Sequence, residues 1–88
     1  MEGNRLILND GMVLENATAG YSGGSVILHI NGLTMQEAVG IMFDPSRTSR
    51  IVFQYGDMED VHTGYTNCVN IGKDFDGEIT VIMEKGGD

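Results

Sequence analysis

Eighty-eight residues are one domain's worth of chain, and a chain that short buries only roughly 60% or a little more of its unfolded surface, so its core supports modest stability. Thirteen acids against five bases give a net charge of −8, which excludes binding to a nucleic-acid backbone by phosphate neutralisation, since that draws on Lys and Arg. The single cysteine, Cys68, excludes an intramolecular disulfide and a cysteine-pair zinc knuckle, and no apolar run nears the roughly 20 residues of a membrane span.

In chain order, Arg5 to Leu8, then Asn9-Asp10-Gly11, then Met12-Val13-Leu14 predicts a β-hairpin, because Asp-Gly accepts the positive φ of a tight turn. Asn16 to Gly24 is polar and glycine-rich and is expected to be a loop whose only large side chain is Tyr21. Ser25 to Ile30 alternates Val26, Leu28 and Ile30 against Ile27 and His29; both faces are largely apolar, as a central strand requires.

Thr34 and Glu37 stand at capping-box spacing, so a helix begins there. Met35, Ala38, Val39 and Met42 form its apolar stripe, and Asp44-Pro45 ends it. A loop of at most seven residues leads to a strand, Arg50 to Tyr55, with Ile51, Phe53 and Tyr55 on one face, against which the helix is expected to pack. Phe43 and Phe53 are assigned to the core.

Gly56 to Asp60 is expected to be a turn and Val61 to Ile71 a long strand, bent or bulged at Gly64. Asp74-Phe75-Asp76-Gly77 is a second hairpin turn, Glu78 to Lys85 the last strand with Ile79, Val81 and Met83 inward, and Gly86-Gly87-Asp88 a fraying end. The order β-β-β-α-β-β-β predicts a single α+β domain over 1–88, a mainly antiparallel curled sheet or small roll of about six strands with one short helix.

No constellation reaches a catalytic or metal signature. Asp74-x-Asp76-Gly77-Glu78 lacks the ligand spacing and flanking helices of a calcium loop. His62 and Cys68 are six apart, about 20 Å in an extended strand, too far to act as base and nucleophile unless the strand bends hard at Gly64. Glu59, Asp60 and His62 read as solvated turn residues, His29 as a packed histidine with one satisfied nitrogen, and no cofactor is expected.

The charge is uneven. From Asp57 onward eight acids face only Lys73 and Lys85, a local balance of −6, which fits either plain solubility, as in many small acidic domains, or a protein partner with a basic surface. The candidate binding residues are Tyr21, Asp57, Met58, Glu59, Asp60 and Tyr65: acids and methionine from one turn, and two tyrosines able to anchor an interface.

Asn9-Asp10-Gly11, Ala19-Gly20-Tyr21, Thr34-Met35-Gln36-Glu37-Ala38, Phe43-Asp44-Pro45, Ile51-Val52-Phe53-Gln54-Tyr55-Gly56, Met58-Glu59-Asp60 and Gly64-Tyr65-Thr66 together resemble a group of small proteins encoded by tailed phages and prophages. The resemblance spans most of the chain, brings no catalytic residue with it, and implies a structural or accessory role. Two expectations follow. One is a non-catalytic acidic inhibitor of a host defence or nucleic-acid-processing protein, acting in the host cytoplasm. The other is a virion or tail assembly protein that self-associates into a homo-oligomer through exposed strand edges. Neither involves direct nucleic-acid or membrane contact.

Overall fold

Residues that tolerate positive φ set the strand pairing. A computed structural model describes residues 4–86. The turn after β1 (Arg5–Ile7) places Gly11 at φ 93°, its N–H donating to the Leu8 carbonyl over 2.9 Å, and brings back β2 (Val13–Glu15) antiparallel. One residue, Asn16 at φ 57°, then redirects the chain into β3 (Ala17–Ser22); asparagine is among the few side chains that accept this conformation. Gly23-Gly24 closes the hairpin to β4 (Ser25–Ile30).

The capping box forms as the spacing requires. The Thr34 hydroxyl accepts from the Glu37 N–H (3.1 Å) and the Glu37 carboxylate from the Thr34 N–H (2.9 Å), starting α1 (Met35–Met42). Asp44 accepts from the Ser46 N–H (3.1 Å) and caps a one-turn helix, α2 (Pro45–Thr48), whose proline occupies the first turn, where a missing donor costs nothing. Then come β5 (Arg50–Tyr55), a turn at Gly56-Asp57, β6 (Met58–Thr63), β7 (Asn67–Lys73), the Asp74 to Gly77 turn and β8 (Ile79–Glu84).

The eight strands form two four-stranded antiparallel sheets, ordered β2-β1-β5-β6 and β3-β4-β8-β7. Their inner faces share one core, in which Leu6, Leu28, Ile30, Met42, Ile51, Ile79 and Met83 are all but inaccessible. Burying each such side chain contributes about 1.5–3 kcal/mol. β3 starts beside β1, where the Ala17 N–H donates to the Asn4 carbonyl (3.3 Å), and ends beside β6, where Tyr21 stacks on His62. The second sheet therefore runs across the strands of the first. Among the described residues no helix is long and apolar enough to cross a membrane.

Several expectations are corrected. There are eight strands rather than about six, because the Asn16 to Gly24 stretch is mostly strand: β3 pairs with β4 along its whole length, from Ala17↔Ile30 to Ser22↔Ser25. The expected strand from Val61 to Ile71 is two, since Gly64 at φ 81° carries the chain from one sheet to the other; the bulge falls between Cys68 and Asn70 instead. Met58, Glu59 and Asp60 belong to β6, because a two-residue turn at Gly56-Asp57 suffices. The Asp44 to Ser49 loop contains α2. α1 lies against β7 and β8 rather than on β5. That placement rotates the helix so that Ala38, Ile41 and Met42 are buried, while Val39 and Phe43 face solvent and Phe43 leaves the core. Of the terminal residues expected to fray, Gly86 is tied by its N–H to the Gly64 carbonyl (2.9 Å), and Gly87-Asp88 lie outside the described residues.

Candidate functional site

The β5–β6 hairpin pairs Tyr55 with Met58, Gln54 with Glu59 and Phe53 with Asp60. Consecutive strand residues point to opposite faces, so the acids separate. Glu59 faces outward and accepts from the Gln54 side-chain amide (2.6 Å); Asp60 lies on the inward side and accepts from the Tyr55 hydroxyl (3.2 Å). Burial, then the Asp60 charge and this hydrogen bond, raise the Tyr55 pKa, so the phenol keeps the proton it donates. Asp57 sits in the turn. The three acids thus surround the end of the hairpin rather than share one face, with Met58 58% exposed among them. Gln54, Gly56, Asp57, Met58 and Glu59 line a shallow recess of ≈ 340 Å³.

The two tyrosines meet, with different roles. Tyr21 is 61% exposed, while Tyr65, in the link after β6, is 3% exposed and belongs to the core. The Tyr65 hydroxyl donates to that of Tyr21 (2.8 Å), and the rings stand edge to face with centroids 6.2 Å apart. His62 completes the cluster, stacked on Tyr21 (5.8 Å, 10° between planes) and edge-on to Tyr65 (5.8 Å). Lys85 Nζ lies 5.1 Å from the centre of the Tyr65 ring and donates to the Thr63 carbonyl (3.0 Å). The hydrogen bond with Tyr21, aided by burial, raises the Tyr65 pKa. Tyr21 is the exposed member of the pair, and Tyr65 is the buried support that fixes its ring.

His62 was not among the sequence candidates, although the period-two series 58, 60, 62 places it in one row with Met58 and Asp60 once β6 is a strand. That row runs from the acidic hairpin end to Tyr21 and joins the two halves of the candidate surface.

Elsewhere the polar groups serve the fold. His62 and Cys68 stand in different sheets, and burial pushes the Cys68 thiol up, against an opposing hydrogen bond to Asn70. Asp74 Oδ1 accepts from the N–H groups of Asp76 (2.9 Å) and Glu78 (3.0 Å), so that carboxylate holds the turn. His29 Nδ1 lies 3.2 Å from Thr80 Oγ1 and 3.3 Å from Glu78 Oε1. Among the described residues no group of three or more His, Cys, Asp or Glu side chains is gathered as metal ligands would be. An open apolar recess of ≈ 500 Å³ separates β2 from α1, with Arg47 beside it held by Asp10 (3.1 Å) and Asp44 (3.6 Å).

Fold and surface define a small α+β protein of two crossed antiparallel sheets, with an acidic hairpin projecting from one of them. No family model, no curated protein and no solved structure matches this chain.

Proposed function

We propose that this chain is a non-catalytic, phage-type accessory protein that binds a basic surface on a host defence or nucleic-acid-processing protein and inhibits it in the host cytoplasm. The observation that carries this reading is the end of the β5–β6 hairpin, where Asp57, Glu59 and Asp60 surround the exposed Met58 on an edge strand. Carboxylates set around an apolar side chain offer a partner both charges in place of phosphates and an anchor that excludes water. Tyr21, held by Tyr65 and His62, extends the contact along β6. The test uses the immobilised chain in a host-cell lysate at low and high salt. Salt-sensitive capture of a basic nucleic-acid enzyme supports the reading; capture of none overturns it.

A virion or tail assembly role is the second reading, favoured by the edge strands β2, β6, β3 and β7, which carry the exposed Val13, Met58, Val61, Tyr21 and Val69.

A further inference from the structure

The registers of β2, β1, β5 and β6 align residues into rows across the sheet. The inward rows hold Leu14, Leu6 and Phe53, all buried. On the outward face, Val13, Ile7, Val52 and Val61 form one row, a stripe of β-branched side chains crossing all four strands. A stripe of this kind on a solvent-facing side is unusual, since outward positions of a half-exposed antiparallel sheet are normally polar. Its two ends are open, with Val13 42% and Val61 48% exposed, while between them Ile7 is half-buried and Val52 only 7% exposed. On one side of it stands the row Glu15, Arg5, Gln54 and Glu59; on the other stand Arg50 and Thr63. Neither Arg5 nor Arg50 enters an ion pair among the described residues.

We propose that this outward face is a self-association surface, on which a second copy of the chain stacks face to face about a two-fold axis running along the apolar stripe. The charges select that axis. A two-fold parallel to the strands would set β2 over β6 and bring Glu15 against Glu59 of the other copy, two like charges. A two-fold along the stripe sets each strand over its own copy in reversed direction. Val61 then meets Val61, and Arg50 of each copy lies over Gln54 of the other, next to Glu59. The contact is self-complementary, as an isologous dimer requires, with an apolar centre and two symmetric Arg50–Glu59 pairs at its rim. Met58, Asp60 and His62 project from the opposite side of β6, and with Tyr21 they stay accessible in the dimer. Only Glu59 is common to this face and the surface assigned to a basic partner.

The test is sedimentation equilibrium of the chain alone, at about 0.15 M salt to screen the repulsion between two acidic copies. The wild type is expected to be a dimer in reversible exchange with monomer. Val61→Lys and Arg50→Glu, each checked for folding by circular dichroism, are each expected to raise the dimer dissociation constant about tenfold or more, because a charge is buried in the stripe or two like charges are opposed at its rim. Arg50→Glu combined with Glu59→Arg restores the pair in reverse and returns the constant toward the wild-type value. A wild type that sediments as a monomer throughout overturns the proposal. So does a folded Val61→Lys that dimerises as well as the wild type, or a double variant with no recovery.

Discussion

The hydroxyl of Tyr65, a residue 3% exposed, donates to the hydroxyl of Tyr21, a residue 61% exposed, over 2.8 Å. The bond ties β3 to the link between the two sheets. Tyr65→Phe keeps the ring and removes the donor, so the urea midpoint is expected to fall with an unchanged slope. The pH dependence has a defined sign. Both Tyr65 and Tyr55 are raised above the ordinary tyrosine value of 10.0, so their contribution is full below that value and is lost as pH rises through the higher folded ones. Wild-type stability is expected to decline above pH 10, and more shallowly in Tyr65→Phe. Equal alkaline slopes in thermal melts of the two proteins would contradict this.

The capping box at Thr34 and Glu37 is a local device whose removal has a local cost. Thr34→Ala leaves the Glu37 N–H without its side-chain acceptor and is expected to destabilise the domain by about 1 kcal/mol, while Thr34→Asp, itself a capping residue, loses little. Urea titration of the two variants separates these outcomes.

Two glycines are expected to respond oppositely to alanine. At Gly64 a Cβ finds room, its nearest neighbour being Lys85 Cδ at 3.5 Å, yet φ is 81°, so Gly64→Ala should cost about 1–2 kcal/mol in backbone strain alone. At Gly40, inside α1, a Cβ meets nothing within 4 Å, and Gly40→Ala should add about 0.8–1 kcal/mol of stability. The same denaturation experiment reads both signs.

Much of this fold was legible locally. Thr34 with Glu37, the Asp10-Gly11 turn, the Asp74 to Gly77 turn and the alternation through Val26 to Ile30 and Ile79 to Met83 each carry their instruction within a few residues. β3 was not legible, because Ala17, Thr18, Ala19 and Gly20 show no strand-like alternation of large side chains; pairing with β4 makes the strand, and the overlooked signal was Gly23-Gly24 as a two-residue hairpin turn. Phe43 looked like core because helix periodicity shows that one face is buried but not which neighbour buries it. At the surface, the acids and Met58 were visible as a sequence cluster. The division of Glu59 from Asp60 required knowing that β6 starts at Met58, and the Tyr21–His62–Tyr65 cluster required partners up to 44 positions apart.

The central claim is that the acidic end of the β5–β6 hairpin blocks a basic nucleic-acid-processing protein. It is tested most directly by the activity of the captured enzyme on its nucleic-acid substrate, with increasing wild-type chain or the D57K/E59K/D60K variant, the latter checked for folding. These side chains are all exposed, so the variant should fold. Inhibition by the wild type that the folded variant has lost is the predicted result; equal inhibition by both would show that the hairpin end is not the binding surface.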